Sequence, residues 1–170
     1  YAASRDLKLG LDLFHFSQSD LIAADATNTF QNVGNNTARG VELEAQWQAS
    51  RKLRISGNLT HRNETVAYSS VPRQKAYARL DWAFEPGWNW NIQANWIGER
   101  RLPAGDPRAP LDAYTVVDTT LRHAPRANWE FAASVRNLFD VDAREYSSAA
   151  LPNNLPLPGR ALYAEVSYKF

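Results

Sequence analysis

The sequence predicts an all-β fold, an antiparallel transmembrane β-barrel whose strands alternate apolar and polar side chains. Three observations lead to this fold class: eight segments repeat with a period of two residues, the connections between them alternate between short and long, and aromatic residues gather beside the short connections. A period of two indicates a strand, because successive side chains of a strand point to opposite faces. In a membrane barrel the apolar face meets lipid and the polar face lines a wet interior.

Eight segments of the chain show this alternation, the first beginning near residue 7 and the last ending at residue 170. Their apolar positions are Leu7, Leu9, Leu11 and Leu13; Val41, Leu43, Ala45, Trp47 and Ala49; Leu53, Ile55, Gly57 and Leu59; Ala76, Ala78, Leu80, Trp82 and Phe84; Trp88, Trp90, Ile92, Ala94 and Trp96; Val117, Thr119 and Leu121; Trp129, Phe131, Ala133 and Val135; and Leu162, Ala164, Val166, Tyr168 and Phe170. None of these positions carries a charge, whereas the positions between them include Glu42, Arg79 and Asp118. The two faces of the predicted sheet therefore suit different solvents.

The links between these segments alternate in length along the whole chain. The short links lie near 50–52, 85–87 and 125–127, and the long links span 17–36, 63–72, 100–113 and 140–159. Membrane barrels have short periplasmic turns and longer extracellular loops. We therefore expect the short links and Phe170 at the periplasmic end, and the long links at the extracellular end.

Bulky aromatic residues on the apolar face lie within a few residues of a short link or of the C-terminus. A belt at one depth is typical of a membrane interface, where amphipathic rings favour the headgroup layer. The predicted belt consists of Trp47, Trp82, Phe84, Trp88, Trp90, Trp129, Phe131, Tyr168 and Phe170. Alternation alone also fits a soluble β-sandwich, whose apolar face is an interior. In that alternative the protein is a carbohydrate-binding module that stacks sugars on Trp88, Trp90 and Trp96.

Composition and residue spacing argue against several function classes. The net charge of +1, from 19 basic and 18 acidic residues, provides no field that would attract nucleic acid. Cysteine is absent, which excludes thiolate metal sites and cysteine nucleophiles. His15, His61 and His123 lie on three separate strands and on or beyond the apolar face, where no nucleophile accompanies them. We therefore expect neither an enzyme nor a bound metal or cofactor.

Recognition is expected in the long loops, because strands form a scaffold and loops carry binding residues. Arg100, Arg101 and Arg108 supply positive charge in one loop, and guanidinium groups pair bidentately with carboxylate or phosphate oxygens. We predict that these arginines bind an anionic ligand, together with Tyr68 and Tyr146 in other loops. Two alternatives remain: the arginines contact lipopolysaccharide, or they pair with neighbouring carboxylates, which are Glu99, Asp106 and Asp112.

Three segments resemble the C-terminal part of TonB-dependent outer-membrane receptors. They are NVGNNTARGVELE at 32–44, VRNLFD at 135–140, and PGR at 158–160 leading to the terminal YKF. Together they span nearly the whole chain, and the NLFD run after an alternating strand is the most specific of them. The final Phe170, with Tyr168 and Val166 on the same face, also resembles the signal that the barrel-assembly machinery reads on outer-membrane proteins.

The resemblance implies that residues 1–170 are the C-terminal portion, about eight strands, of a barrel of about 22 strands in the bacterial outer membrane. It also implies an N-terminal plug and a TonB-contacting segment, neither of which is in this sequence. The expected function is active uptake of a scarce nutrient, most specifically a ferric siderophore, energised through TonB. The expected partners are this ligand, TonB, the barrel-assembly machinery, and outer-membrane lipid with lipopolysaccharide.

One alternative from the same pattern is a complete barrel of eight strands, porin-like or structural, whose interior is filled by side chains. The chain starts at Tyr1 and contains no methionine, which favours part of a longer protein instead. The two alternatives differ in whether the first and last strands pair with each other.

Overall fold

A computed structural model describes residues 4–24, 29–32, 34–64, 71–102, 106–147 and 151–170. Its strands in chain order are β1 (Leu7–Gln18), β2 (Ile22–Ala24), β3 (Phe30–Asn32), β4 (Asn36–Ser50), β5 (Leu53–Glu64), β6 (Gln74–Glu85), β7 (Trp88–Ile97), β8 (Tyr114–Arg126), β9 (Trp129–Arg136), β10 (Arg144–Glu145), β11 (Leu155–Pro156) and β12 (Ala161–Tyr168). Eight of them form one antiparallel sheet in the order β1-β4-β5-β6-β7-β8-β9-β12. Among the described residues, no helix has the length and apolarity that crossing a membrane requires.

All eight predicted segments are strands of the large sheet, which confirms the predicted antiparallel all-β fold. The strands follow one another as a meander, interrupted by two small hairpins that lie within the first and last long links. These hairpins, β2–β3 and β10–β11, have strands of three and two residues. Segments of this length are too short for a periodic pattern, so the sequence does not predict them.

One face of the large sheet is apolar and open to its surroundings. Leu13 is 77% exposed and Leu162 is 76% exposed, although both lie on the apolar face. Among the described residues, the buried hydrophobic residues are only Ala38, Leu111 and Ala143. No second sheet of the described residues covers the apolar face, so the β-sandwich alternative is wrong.

The sheet is open at both edges. β1 pairs with β4, β12 pairs with β9, and the described residues form no ladder between β1 and β12. A closed barrel of eight strands requires that missing ladder, because closure is what removes the edges of a sheet. The complete small barrel therefore does not fit this structure, and both edges are available for pairing with further strands.

Three two-residue turns join β4 to β5, β6 to β7 and β8 to β9, which confirms the alternation of short and long links. Gly87 in the second turn has a φ of 77°, and a Cβ there would lie 2.6 Å from the carbonyl oxygen of Ala124. Two-residue hairpin turns commonly need positive φ, so this position requires glycine. Since the meander is antiparallel, all three turns and the C-terminus lie at one end of the sheet.

The NLFD motif forms the corner that ends β9. Asn137 and Asp140 have φ values of 48° and 54°, a left-handed conformation that Asn and Asp adopt more readily than most residues. The Asn137 side chain exchanges two hydrogen bonds of 2.9 Å with the backbone of Val141. Asp140 Oδ1 accepts the backbone N–H of Arg160 at 2.8 Å, just before β12 begins. The motif therefore sets the chain path between the last two strands of the large sheet.

Candidate functional site

The loop after β7 contains Arg100, one of the arginines that the sequence suggests for ligand binding. Backbone hydrogen bonds of 3.0 and 2.9 Å join it to Leu111, so the two sides of this loop are bridged. The Arg100 side chain is 1% exposed, and its Nη1 donates to Glu145 Oε2 at 2.6 Å. Its guanidinium carbon lies 5.4 Å from the centre of the Tyr114 ring. Arg100 is therefore enclosed by a contact from a second loop.

Glu145, in the short strand β10, is the centre of this contact. One carboxylate oxygen accepts from Arg100, and the other accepts from the Tyr114 hydroxyl at 2.6 Å. Arg100 also donates through Nη2 to the carbonyl oxygen of Arg144. If the carboxylate is removed, a buried guanidinium is left without its counter-charge, which is strongly unfavourable. Arg100 and Glu145 therefore depend on each other.

Arg108 makes a second connection between the same two loops. It forms a bidentate pair with Asp106, with Nε to Oδ1 at 2.9 Å and Nη2 to Oδ2 at 2.6 Å. Its Nη1 donates to the carbonyl oxygen of Leu151 and to Asn154 Oδ1, both at 2.9 Å. The hydrogen bonds from Arg108 lower the pKa of Asp106 below its usual range. The group formed by these residues is called the loop clasp and consists of Arg100, Glu145, Asp106, Arg108 and Asn154.

The structure brings Arg100 and Arg108 into the loop clasp and places Tyr146 beside Arg108. Arg101 is exposed, and none of the ion pairs among the described residues includes it. Tyr146 is half-buried, with its ring centre 5.7 Å from the Arg108 guanidinium. Tyr68 lies outside the described residues. A ligand role for these five residues stays a prediction.

The two clasp arginines differ in whether the sequence alone suggests their ion-pair partner. Asp106, the partner of Arg108, is two residues away, and the sequence suggests this pairing as an alternative to ligand binding. Glu145, the partner of Arg100, is 45 residues away. No spacing or motif connects Arg100 to Glu145, so only the fold reveals that contact.

The predicted aromatic belt lies on the apolar face, near the end that carries the short turns. Many of its members contact each other across strands: Trp82 and Trp90 are 6.4 Å apart between ring centres, and Trp129 and Tyr168 are 4.7 Å apart. Most are substantially exposed, from 38% for Trp90 to 114% for Phe170. The rings therefore present two exposed aromatic groups, one around Trp82 and one around Trp129, rather than a core.

From β4 to β12, the residues of the belt lie progressively nearer the turns relative to the rows of paired residues. The row of paired residues that contains Trp47 and Ile55 continues across the sheet to β12. Measured from this row, Trp90 lies two residues nearer the turns, Trp129 six residues nearer and Phe170 eight residues nearer. Two residues span about 7 Å along a strand, and neighbouring strands are about 4.8 Å apart. If the rings lie at one depth, the strands between β4 and β12 tilt by about 40°, which is the tilt of membrane barrels.

The opposite face of the sheet carries polar and charged side chains that pair with each other. Arg79 contacts Asp81 at 2.8 Å, and Arg136 contacts Asp118 at 2.9 Å. Asn91 Nδ2 donates to Asp81 Oδ1 at 2.8 Å. Among the described residues, no group of His, Cys, Asp or Glu side chains is arranged to hold a metal ion. This face is suited to contact with water and polar ligands.

Two aromatic residues on the polar face are missing from the sequence prediction. Phe14 and Phe16 follow the leucine run of β1, yet they point away from the face of Leu13. Their rings are 6.4 Å apart and nearly parallel, and Phe16 is 45% exposed. The sequence could have shown this direction, because both residues occupy even-numbered positions in a strand whose odd-numbered positions form the apolar face. They provide an apolar contact surface near the long-loop end of the polar face.

Comparison with known proteins identifies the family. Residues 2–138 match the family described as "TonB dependent receptor-like, beta-barrel". The chain belongs to the TonB-dependent receptor family. This receptor chain is accordingly part of an outer-membrane β-barrel, and the curated relatives that it matches are transporters and not enzymes. Because outer-membrane barrels have short periplasmic turns and longer extracellular loops, we expect its long loops at the extracellular end and its short turns at the periplasmic end.

Relatives with known roles and solved structures agree with this family. The vitamin B12 transporter BtuB of Vibrio cholerae is 25% identical over 182 residues, covering 100% of this chain and 28% of the transporter. The siderophore receptor PiuA of Acinetobacter baumannii has a TM-score of 0.83 at 17% identity, covering 97% of this chain and 26% of that one. The ferric-catecholate import receptor Fiu of E. coli K12 has a TM-score of 0.81 at 17% identity, with coverages of 99% and 26%. The receptor chain thus spans between a quarter and a third of these relatives.

Proposed function

We propose that the full-length receptor imports a ferric siderophore across the outer membrane, energised by TonB through a region outside this sequence. The observation that carries the proposal is the shared fold with receptors for iron chelates. Structures with this fold include the ferric-catecholate receptor Fiu and a ferripyoverdine receptor of Pseudomonas aeruginosa bound to its ligand. Arg101 supports it as an exposed positive charge in an extracellular loop, suited to carboxylate or phenolate oxygens.

The loop clasp supports this proposal in a different way. Arg100 and Arg108 hold two loops together, so their guanidinium groups are already engaged by carboxylates. Their contribution to ligand binding is therefore mainly to position Arg101 and Tyr146 within one fixed group of loops. In this proposal Arg101 makes the direct contact, with Tyr68 and Tyr146 as further contacts.

Cobalamin is the second candidate ligand. It is favoured by the match over the whole chain to the vitamin B12 transporter of Vibrio cholerae, at 25% identity. Phe14 and Phe16 offer an exposed aromatic surface on the polar face that suits the flat part of a large ligand. The two candidates differ in charge, since many ferric siderophores are anionic. A charge change at Arg101 can therefore separate them.

The test is ligand binding and uptake by the full-length receptor with Arg101→Glu, using a ferric catecholate, a ferric hydroxamate and cyanocobalamin. We expect affinity for an anionic ferric chelate to fall by about tenfold to a hundredfold, as for the loss of one charge-assisted contact. Arg51→Glu, in a turn at the periplasmic end, is the matched control and should leave binding unchanged. Binding of cyanocobalamin alone favours the second candidate, and equal chelate affinity in both variants contradicts the role of Arg101.

We also propose that the terminal residues Val166, Tyr168 and Phe170 are read by the barrel-assembly machinery, and that the aromatic belt contacts lipid at the periplasmic interface. Phe170 is fully exposed at the end of β12, far from the extracellular loops. Phe170→Ala in the full-length receptor should therefore lower the amount of folded receptor in the outer membrane without changing ligand affinity. Normal receptor levels with reduced uptake would contradict this proposal.

A further inference from the structure

Three basic or titratable side chains lie on the lipid-facing surface, at the extracellular end of the apolar band. His15 pairs with Arg39 across β1 and β4, and His61 pairs with Val41 across β4 and β5. The ladders are regular along this stretch, so all three side chains share the face of Leu13 and Val41. All three are exposed. The group of His15, Arg39 and His61 is called the outer cationic cluster.

The close approach of Phe14 to Gly40 supports the outward direction of Arg39. A Cβ on Gly40 would overlap the ring of Phe14, which shows that the ring covers Gly40 on the polar face. Since neighbouring residues of a strand point to opposite faces, Arg39 and Val41 must point to the apolar face. A ligand in the barrel interior therefore lies on the other side of the sheet from Arg39.

The depth of Arg39 corresponds to the outer headgroup layer. Arg39 is eight residues from Trp47 along β4, which is about 27 Å along the strand and about 20 Å along the membrane normal at a tilt of about 40°. The apolar band of a membrane barrel is about 25 Å tall. With Trp47 near the periplasmic interface, an extended Arg39 side chain reaches the extracellular interface by snorkelling.

Arg39 differs in its charged neighbours from an arginine beside it on the other face. Arg62, on the neighbouring strand, points to the polar face and forms an ion pair with Glu64. No ion pair among the described residues includes Arg39. An exposed guanidinium at a lipid headgroup layer attracts anionic groups, and its planar fork matches phosphate oxygens.

A cavity of about 280 Å³ adjoins the cluster at His61. Its lining includes Arg73 and Arg101 as well as two acidic residues, Glu64 and Glu99. The Gln74 side-chain amide lies 3.1 Å from His61 Nδ1, so this contact orients the imidazole ring. Basic side chains from three separate parts of the chain, His61, Arg73 and Arg101, therefore meet at this cavity.

We propose that the outer cationic cluster binds a phosphate group of the glycolipid in the outer leaflet, as in lipopolysaccharide. Arg39 makes the main contact through two parallel N–H donors, and His15 and His61 flank it. The acyl chains of the same lipid lie along the exposed leucines below, such as Leu13 on β1. Arg39 lies on the opposite face of the sheet from a ligand in the barrel interior, so its contact with the lipid phosphate is distinct from a contact with an imported nutrient, although the cavity beside His61 also includes Arg101.

The test compares two lipids on the purified full-length receptor by native mass spectrometry from neutral detergent. One lipid is hexa-acylated lipid A with both phosphates, and the other has the same acyl chains with the phosphates removed. We expect the phosphorylated lipid to bind about tenfold more tightly to the unmodified receptor. The double variant Arg39→Gln, His61→Gln should lose this preference. Equal binding of both lipids, or an unchanged preference in the double variant, would overturn the proposal.

Three controls make the result specific. Lys8→Gln removes one charge from the polar face of β1 and should leave the lipid preference intact. Arg39→Lys keeps the charge but lacks the two parallel N–H donors, so it should keep only part of the preference, provided that each variant shows the heat-dependent gel mobility of a folded barrel. Competition by millimolar inorganic phosphate as effective as that by lipid A would overturn the assignment to a lipid. None of these variants changes Arg101, so a negative result for the lipid site can be distinguished from a negative result for the import proposal.

Discussion

The first and the last long loops of this receptor are held together in different ways. In the first, the β2–β3 hairpin relies on exposed hydrogen bonds within its own segment, such as Asn32 Nδ2 to Asp20 Oδ1 at 2.9 Å. Ile22 and Phe30 in the same hairpin are 71% and 74% exposed. The last loop is joined to the loop after β7 by the loop clasp, in which the Arg100 side chain is 1% exposed.

This difference indicates which loops open first. Local opening is least costly where hydrogen bonds are exposed and few apolar contacts are buried. Opening the clasp is more costly, because it breaks several charge-assisted hydrogen bonds of Arg100 and Arg108 together. We therefore expect ligand-dependent movement in the β2–β3 hairpin, against a fixed pair of loops held by the clasp.

The largest effect is expected for Arg100→Gln. The substitution removes the charge-assisted hydrogen bond to Glu145, whose side chain is 41% exposed and can be hydrated, so the opening free energy of the clasped loops should fall by about 1.5–3 kcal/mol. Amide hydrogen exchange in 106–113 and 140–147 of the full-length receptor should accelerate by roughly tenfold to a hundredfold. Hydrogen exchange in the β2–β3 hairpin should be unchanged, because the hydrogen bonds that hold the hairpin do not involve Arg100.

Asp20→Asn is the matched control in the first loop. It removes one charge from an exposed hydrogen bond, and exposed contacts of this kind contribute about 1 kcal/mol or less. Hydrogen exchange in 106–113 should be unaffected by it. If Arg100→Gln changes exchange no more than Asp20→Asn does, the clasp does not hold the two loops.

The strands were predictable because the evidence for them is local. In β7, and in β4 from Val41 onward, every second residue is apolar, and each strand adjoins a two-residue turn, so neither strand needs information from distant parts of the chain. The corner at Asn137 was recognisable as a motif, although the backbone hydrogen bonds that its side chain makes became visible only in the fold. Alternation also determined the direction of Arg39, two residues beyond Val41.

The clasp could not be predicted, because its contacts join loops that are distant in sequence. Alternation stops at the ends of β7 and β9, so no pattern indicates where a loop side chain points. From the sequence alone, three arginines in one loop fit either a ligand site or structural ion pairs with neighbouring carboxylates. Burial distinguishes them, since Arg100 is enclosed while Arg101 is exposed, and burial depends on the neighbouring loop.

The smallest effect concerns acid pH and the Asp106–Arg108 pair of the clasp. Hydrogen bonds from Arg108 lower the pKa of Asp106 in the folded protein, so this pair stabilises the loop fully above the ordinary aspartate pKa of about 4. The stabilisation is lost as pH falls through the lowered folded pKa. Exchange in 106–113, corrected for intrinsic rates, should therefore be constant from neutral pH to about pH 5 and should accelerate below about pH 4. Asp106→Asn should remove this acid step. An acid step that begins above pH 5, or that persists in the Asn variant, would show that another group controls it.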